Sequence, residues 1–380
     1  MPKWDVTFRV SIEVDNKDII SVLAKCHALA SIINDIPITP GRQHKIDSLN
    51  ILRAIRGTTA IEGAELSEDE VRRIMVAPKN QQVLPDNRQR DEKEARSATL
   101  LMKYVARLVS RNTNCALDET LVSTFHKILT KNIEYENNTP GEYRTHPVRA
   151  DDYVPPRDKE QVKGLMSGFI TWFNQGEPTE WDPIIRAVVA HFYIVSIHPF
   201  GDGNGRTARA IESFLLYKAG INVRGFYSLA NFYYKHRGEY INYLNKVRFE
   251  TDSDLTPFVL FALKGLASEL ADVHREVLSE VKEIAFRDFV REVLTKRLGT
   301  KPGDRMFNFM FELGTSFVTI KDIRDGVHPL SRLYRGLNSK TLSRDLAELR
   351  ENQLIVLANG QIRANLDIMG KFTAYRELEE

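Results

Sequence analysis

The segment from His198 to Arg209 combines residue types that suit phosphate chemistry. It is HPFGDGNGRTAR, with three glycines within five residues, so its backbone can turn sharply and approach a ligand closely. The pattern predicts a helix from about Asn204 to Tyr217 directly after this turn. Free N–H groups and the positive helix end then meet at one point, which makes an anion site.

The charged side chains of the segment indicate a particular kind of chemistry. Arg206 and Arg209 lie on one face of the predicted helix, and guanidinium groups bind phosphate oxygens bidentately. Asp202 offers a hard oxygen ligand for Mg²⁺ that is shared with phosphates, and His198 can take a proton near neutral pH. Together they indicate metal-assisted transfer from a nucleotide, with catalysis by positioning and charge stabilisation.

Two familiar phosphate-binding motifs fit the segment poorly. A P-loop would end in Gly-Lys-Ser/Thr, and a dinucleotide fingerprint would follow a strand, whereas a helix over 182–196 is predicted here. A purely structural glycine-rich turn between two helices stays an alternative for any single residue, but it does not account for all the defined positions together.

The segment resembles the signature of the Fic family, HPF-x-[DE]-GNGR-x-x-R, at every defined position. The resemblance implies an all-α core and transfer of AMP from ATP to a Ser, Thr or Tyr hydroxyl of a target protein, with the chain itself as one candidate target. It also implies that His198 deprotonates the hydroxyl and that Asp202 holds Mg²⁺ between the α- and β-phosphates. The phosphate ligands that it implies are Gly203, Asn204, Gly205, Arg206 and, at the γ-phosphate, Arg209.

A second element lies upstream, in TTAIEG over 58–63. Taken alone, Glu62 would be a solvated surface acid. Beside the signature, the segment is similar to the family's inhibitory motif, [ST]-x-x-x-E-[GN], with Thr58, Glu62 and Gly63 in the defined places. The resemblance implies that Glu62 pairs with Arg209 and restrains the enzyme. It leaves open whether Glu62 also serves removal of AMP.

The long proline-rich loop over 139–157 resembles the family's flap, which pairs with an extended target segment. Val148 and Tyr153 are the candidate docking residues, and a plain surface loop is the alternative. For the adenine pocket the candidates are Tyr240 and Tyr243, although tyrosines at helical spacing are more often part of a core.

The base-pocket candidates depart from the family pattern. Relatives often carry a second tyrosine where Ile241 stands and an asparagine where Arg248 falls, which leaves the donor nucleotide less well defined than the phosphate site. His191, on the same predicted helix face as His198, is interpreted as a hydrogen-bonded core histidine rather than a second base.

Composition sets the outer limits. The chain has 380 residues, 42% of them hydrophobic and 27% charged, which is ordinary for a globular protein of two or three domains. A net charge of +2 argues against a globally basic nucleic-acid binder. Two cysteines, Cys26 and Cys115, exclude a disulfide framework. Without a signal peptide or an 18-residue apolar run, the sequence predicts a cytoplasmic protein with no membrane partner.

Periodicity predicts a mainly α fold, and the resemblance implies that this fold is a Fic-type helical bundle with a short flap hairpin. A small winged-helix (α+β) domain is predicted to follow it. Alternation over 6–12 predicts a strand, and a capping box at Ser67 predicts a short helix. The predicted divisions are an N-terminal region with the inhibitory helix over 1–110, a Fic core over 111–250, connecting helices over 251–299 and the winged-helix-like domain over 300–380. Further helices are predicted over 45–56, 91–110, 118–131, 159–174, 236–249 and 254–298.

The last eighty residues predict helices over 319–323 and 339–350 and a hairpin across Asn359-Gly360. A winged helix is a common DNA-reading module, with Lys340, Thr341 and Arg344 expected on its exposed face. However, residues 301–380 hold 12 Lys/Arg and 11 Asp/Glu, little surplus charge for phosphate binding. Protein contact or packing in a homodimer is therefore favoured, and a DNA-binding regulator with the core as nucleotide sensor stays the alternative.

Overall fold

The computed structural model describes residues 6–111, 115–150, 153–221, 229–251 and 253–370. The chain divides into two compact units, residues 1–275 and 276–380. The first unit is helical, as the sequence predicts. Its helices are α1 (Lys17–Asp35), α2 (Pro40–Ile61), α3 (Glu68–Val76), α4 (Gln89–Arg111), α5 (Glu119–Thr130), α6 (Lys159–Gln175), α7 (Pro183–Ile197), α8 (Asn204–Lys218), α9 (Leu229–Lys235), α10 (Arg237–Phe249) and the beginning of α11 (Thr256–Leu294).

Helix α7 forms the centre of the first unit. Its sequence is apolar on all sides, and every residue from Ile184 to Ile197 except Arg186 is buried. A helix that is hydrophobic all round must be enclosed by others. Asp182 caps its first turn, and its partner α8 packs along it. The central helix therefore carries the chain to His198 from a fixed direction.

Helix α2, which bears the predicted inhibitory motif, lies very close to α9. A Cβ atom at Gly57 would be 2.6 Å from the backbone nitrogen of Asn231 and 2.7 Å from the carbonyl oxygen of Ala230. The following helix, α3, begins with the predicted capping box, since Ser67 and Glu70 exchange side-chain and backbone hydrogen bonds. The backbone contact and the cap fix the C-terminal end of α2.

In the N-terminal region one prediction was wrong, and one helix was not predicted. Burial alternates over 6–12, but the predicted strand is wrong, because its pairing in the structure is a single parallel bridge from Ser11 to Asp254. Instead, Phe8 packs its ring against Trp172 and Tyr193 of the helical core. Helix α1 was not predicted. Alternation reports which side chains are buried, and it cannot show whether a partner strand exists.

The second unit contains the end of α11, α12 (Lys301–Glu312), α13 (Ile320–Arg324) and α14 (Ser339–Glu351), with strands β1 (Val318–Thr319), β2 (Ile355–Ala358) and β3 (Gln361–Ala364). The strands form an antiparallel sheet in the order β1-β3-β2. Positive φ angles at Asn359 (50°) and Gly360 (73°) confirm the predicted type I′ turn.

The helices and hairpin of this unit agree with the predicted outline, with two corrections. Thr319 belongs to β1 rather than to a helix. Thr341, expected on an exposed face, is only 8% exposed, because α14 turns it toward the unit's core. Nearby, the Asp345 carboxylate forms a buried ion pair with Arg305. Among the described residues, no helix combines the length and apolarity needed to cross a membrane.

The close approach of α2 and α9 predicts a sharp difference between two glycines of the same helix. Gly57→Ala should destabilise the protein by about 1–3 kcal/mol, because its methyl group would overlap backbone atoms of α9. Gly41→Ala, at a position with nothing within 4 Å, should be neutral or slightly stabilising through helix propensity. Urea denaturation of both variants measures this, and equal midpoints would contradict the proposed packing.

Candidate active site

The turn after α7 is held in shape by its own side chains. His198 adopts the left-handed conformation, with φ 52° and ψ 58°, and Gly203 has φ 76°. Asn204 closes the turn, because its side chain accepts from the Phe200 backbone N–H and donates to the Phe200 carbonyl, both at 2.9 Å. The turn is therefore preorganised before any ligand arrives.

The imidazole of His198 is oriented for use as a base. Its Nδ1 lies 3.1 Å from the carbonyl oxygen of Val195, which can only accept, so Nδ1 carries the proton and Nε2 keeps its lone pair. Burial lowers the pKa of His198 to about 4, and the cations Arg144 and Arg248 act in the same direction, against the Val195 bond and Glu62. The imidazole is neutral at physiological pH.

Asp202 and Arg206 belong to a network of charges that reaches α4. The Asp202 Oδ1 atom accepts from the Gly203 backbone N–H and lies 3.0 Å from Nη2 of Arg206. The other terminal nitrogen of Arg206 lies 3.1 Å from the Glu94 carboxylate and also donates to the Tyr135 hydroxyl. Arg206 is only 3% exposed, so its guanidinium is committed to these partners.

Arg209 is bound by the predicted inhibitory motif. Its Nη2 lies 2.6 Å from Oε1 of Glu62 and 3.1 Å from the Thr58 carbonyl, and its Nε donates to the Thr58 hydroxyl at 2.9 Å. A Cβ atom at position 205 would lie 2.4 Å from the Glu62 carboxylate, so Gly205 leaves the space that the pair needs. The predicted pairing of Glu62 with Arg209 is confirmed.

The charge state of Glu62 follows from its neighbours. Partial burial raises the pKa of this carboxyl, but the guanidiniums of Arg209 and Arg206 outweigh that effect and hold it below its usual value. Its side chain is 32% exposed, while that of Arg209 is 2% exposed. Glu62 is therefore ionised at neutral pH and faces the open side of the site.

A cavity of about 620 Å³ opens beside these groups. Its walls include His198, Gly205 and Arg209 from the signature, Glu62 from the inhibitory motif and Tyr240 from α10. The volume suits a mononucleotide-sized ligand, since ligand pockets are typically ≈ 300–1,000 Å³. Much of the remaining wall is a mixture of apolar and polar residues of α10 and the flap (Ile241, Leu244, Asn245, Arg248, Arg149, Ala150).

The structure modifies two of the roles expected within the signature. The Asn204 side chain is 2% exposed and fully used in closing the turn, so it shapes the phosphate site from behind rather than through its amide. Arg206 does not line the cavity, because Glu94, Tyr135 and Asp202 hold it. Of the two signature arginines, Arg209 is the one at the cavity wall.

The base-pocket and flap candidates also differ in whether they are placed to contact a ligand or a target. Tyr240 lines the cavity, whereas Tyr243 stacks on Phe261 at 4.8 Å and is not part of the wall. Tyr153 is completely buried, with its hydroxyl donating to the Ser196 carbonyl, so its side chain anchors the flap and cannot contact a target. Val148 is half-buried. The expected flap hairpin consists of one antiparallel bridge, Ala150 to Tyr153.

His191 is the core histidine that the sequence predicts. It is completely buried, with Nε2 2.9 Å from the Tyr240 hydroxyl and Nδ1 3.2 Å from the Glu212 carboxylate. Through Tyr240 it supports one wall of the cavity. The described residues contain no group of three or more His, Cys, Asp or Glu side chains that could hold a metal.

Sequence reasoning missed four residues that support the turn. Glu94 and Tyr135 hold Arg206, as described above. His126, completely buried on α5, accepts from the Gly141 N–H through Nδ1 and donates from Nε2 to the Asp202 carbonyl. Arg144 donates to the His198 carbonyl. These residues lie far from the signature in sequence, and no local motif marks them, so only their contacts reveal them.

Comparison with known proteins is consistent with this geometry. Residues 116–216 match the family model described as the Fic/DOC family. Over these residues the chain is similar to a Fic domain. Proteins named protein adenylyltransferase Fic from Aedes aegypti and Nematostella vectensis are 30% and 28% identical to it. These alignments cover 55% and 54% of this chain and 39% and 45% of those proteins, so the chain spans less than half the length of these curated relatives.

Solved structures show the same fold. A Fic family protein from Desulfovibrio desulfuricans G20 aligns over 96% of this chain and 98% of its own, with a TM-score of 0.54 and 19% identity. Fic-1 from C. elegans aligns over 71% of this chain and 74% of its own, with a TM-score of 0.56 and 23% identity. The helical Fic fold predicted from the signature is therefore confirmed.

The buried His126 predicts how the stability of this protein depends on pH. Burial lowers its pKa from 6.5 to about 4, so below pH 6.5 the unfolded chain takes up the proton first. Between pH 6.5 and about 4, this residue should cost up to about 3 kcal/mol of folding free energy. Urea unfolding across that pH range should show a smaller loss in His126→Gln than in the wild type. The exposed control His44→Gln should lose as much folding free energy between these pH values as the wild type does. If His126→Gln loses the same amount as this control, His126 makes no such contribution.

Proposed function

We propose that the protein transfers AMP from ATP to a hydroxyl group of a target protein. The observation that carries this proposal is the shared cavity, in which a neutral His198 and the guanidinium of Arg209 face the same space of about 620 Å³. A base and an anion ligand on one wall are what transfer from a nucleotide requires. The curated relatives named as adenylyltransferases support AMP as the transferred group.

The residues present divide the reaction between them. His198 accepts the proton of the target hydroxyl at Nε2 as the oxygen forms its bond to the α-phosphorus. The bond from that phosphorus to the bridging oxygen breaks, and pyrophosphate leaves. Backbone N–H groups at the beginning of α8 stabilise the phosphate charge, and Arg209 binds the far end of the triphosphate.

The donor set at Asp202 fits Mg²⁺. Its Oδ1 is engaged by Gly203 and Arg206, while the nearest cation to Oδ2 is Arg90 at 3.8 Å. Mg²⁺ commonly takes one or two carboxylates, with phosphates and waters completing its shell, so a single carboxylate at the phosphate site is sufficient. The ion would supply charge neutralisation for the phosphates. Asp202 would hold it, and Arg206 would keep that carboxylate oriented.

Glu62 provides the restraint in this proposal. Its ionised carboxylate occupies the guanidinium that the γ-phosphate needs, and it also repels that phosphate. A nucleotide bound beside it would lie with its α-phosphate out of line with the attacking hydroxyl, and small displacements of this kind cost ~10²-fold in rate. Because Glu62 shares the cavity with His198, the same carboxylate could position water for the reverse, hydrolytic reaction.

The target is a protein hydroxyl of unknown identity, and the chain itself is one candidate. The Ala150 and Tyr153 backbones bond to each other, and Ala150 places this part of the flap beside the cavity. DNA binding is not favoured, because residues 301–380 carry a surplus of one positive charge (12 Lys/Arg against 11 Asp/Glu). In addition, Thr341 of the expected reading face is buried.

Removing the restraint should activate the enzyme. Glu62→Gly should raise ATP-dependent self-labelling by about 10²-fold, since Arg209 becomes available to the γ-phosphate. Labelling by [α-³²P]ATP, with GTP, UTP and CTP as competitors, measures both the activation and the choice of donor. His198→Ala in the same background should abolish the label.

The matched control is Glu65→Gly, which removes another carboxylate of the same cavity wall. The ion pair to Arg209 belongs to Glu62, so the Glu65 variant should label as slowly as the wild type. Equal activation by both substitutions would show that the cavity's overall charge, rather than the Glu62–Arg209 pair, sets the rate. Equal, slow labelling by Glu62→Gly and the wild type would contradict inhibition altogether.

The low pKa of His198 predicts the acid side of the pH–rate profile. Arg248 is one of the cations that lower it, so Arg248→Met in the Glu62→Gly background should move the acid limb of kcat/KM to a higher pH than in the Glu62→Gly parent. Titration of ATP affects both proteins equally and cancels in the comparison. Coincident acid limbs would show that His198 is not the group that must lose a proton.

A further inference from the structure

A buried arginine outside the signature joins the flap to the catalytic turn. Arg144, 3% exposed, follows α5 on the loop that leads into the flap. Its Nε donates to the His198 carbonyl at 2.7 Å, its Nη1 to the His146 carbonyl at 2.9 Å and its Nη2 to the Pro156 carbonyl at 2.5 Å. Three separate stretches of backbone therefore converge on one guanidinium.

The partners of Arg144 distinguish it from an ordinary structural ion pair. Among the contacts of the described residues, its side-chain hydrogen bonds go to backbone carbonyls and none goes to a carboxylate. Burying a guanidinium is costly. The Asp158 carboxylate favours its charged form without a hydrogen bond to it, so well-placed donors must offset the rest of that cost. The rigid planar fork of arginine can span three carbonyls, which lysine cannot do.

The backbone that Arg144 holds is the strained part of the site. His198 is a non-glycine residue in the left-handed region, at φ 52°, and such a conformation persists only when its surroundings enforce it. Arg144 holds two consecutive carbonyls of this turn. In addition to the side-chain bond to the His198 carbonyl, its backbone N–H donates to the Pro199 carbonyl at 2.9 Å. These two bonds fix the direction in which the imidazole leaves the backbone.

We infer that Arg144 is a positioning residue that couples the placement of the flap to the orientation of the His198 imidazole. His146 and Pro156 lie on opposite sides of the flap bridge between Ala150 and Tyr153. A shift of either side therefore moves the guanidinium, and with it the His198 carbonyl. The role in catalysis rests on the proposed function, whereas the effect on the imidazole does not.

The charges around His198 allow geometry and electrostatics to be separated. Arg144, Arg248 and Glu62 are the charged groups that act on it, and Val195 holds its Nδ1. Arg144→Met removes both the charge and the three bonds, while Arg144→Lys keeps the charge but cannot make the three-way contact. Loss of charge alone would raise the pKa of His198 only in the methionine variant.

The test uses the full chain in the Glu62→Gly background, with Arg144→Lys, Arg144→Met and the exposed control Arg157→Met. Imidazole ¹⁵N NMR of the nucleotide-free protein reads the His198 tautomer, with its signal assigned by comparison with His198→Asn. We expect one tautomer, protonated at Nδ1, in the parent and the control, and a mixture in both Arg144 variants. We also expect kcat to fall by about 10²-fold in both, with ATP affinity within about twofold of the parent, since Arg144 does not line the cavity.

Several results would overturn the inference. One is an Arg144→Lys variant that keeps a single tautomer and a kcat within about threefold of the parent, because charge would then suffice. Another is an ATP affinity that falls in parallel with kcat, which would indicate a general loss of structure. If Arg144→Met does not fold, the lysine variant decides alone. Should the Glu62→Gly parent transfer no AMP, the proposed function fails, and the tautomer measurement still decides whether Arg144 positions His198.

Discussion

The ion pair between Glu62 and Arg209 is the interaction on which the rest of the site depends. Arg209 is almost completely buried and cannot find another partner by moving into solvent, so the group that occupies its guanidinium decides what the cavity can bind. In the present arrangement Thr58 and Glu62 fill that role. The close backbone contact at Gly57 keeps the helix that carries them in place, which makes a packing contact part of the electrostatics of the site.

The catalytic turn is rigid because neighbouring helices and loops hold it, and its own glycines do not supply that rigidity. Asn204 closes it from within, His126 and Arg144 hold its backbone from α5 and the flap, and Glu94 holds Arg206 from α4. These bonds are buried or partly buried, where an unmade bond is costly. Such a site needs little reorganisation when charge develops, which is the main source of catalysis expected for phosphate chemistry.

The sequence was informative wherever residue types and local spacing carried the signal. The capping box at Ser67, the type I′ turn at Asn359-Gly360 and the pairing of Glu62 with Arg209 were predicted and are present. It failed at residues 6–12, where alternation implied a strand and the structure supplies no adjacent strand, and it placed Thr341 on the wrong side of its helix. In both cases the deciding fact was which distant element lay alongside.

By itself the sequence predicted the chemistry that we propose for the site, because a base, a carboxylate, a glycine turn and two arginines lie within 12 residues. The tertiary structure decided which of those groups face the cavity. Arg209 lines the cavity, whereas Arg206 and the Asn204 amide do not. The Tyr153 side chain of the flap is completely buried. Arg209, Arg206 and Tyr153 owe these positions to partners that are distant in sequence. Those partners are Thr58, Tyr135 and Ser196, which lie 151, 71 and 43 residues away, and their approach is set by packing and burial that no local pattern encodes.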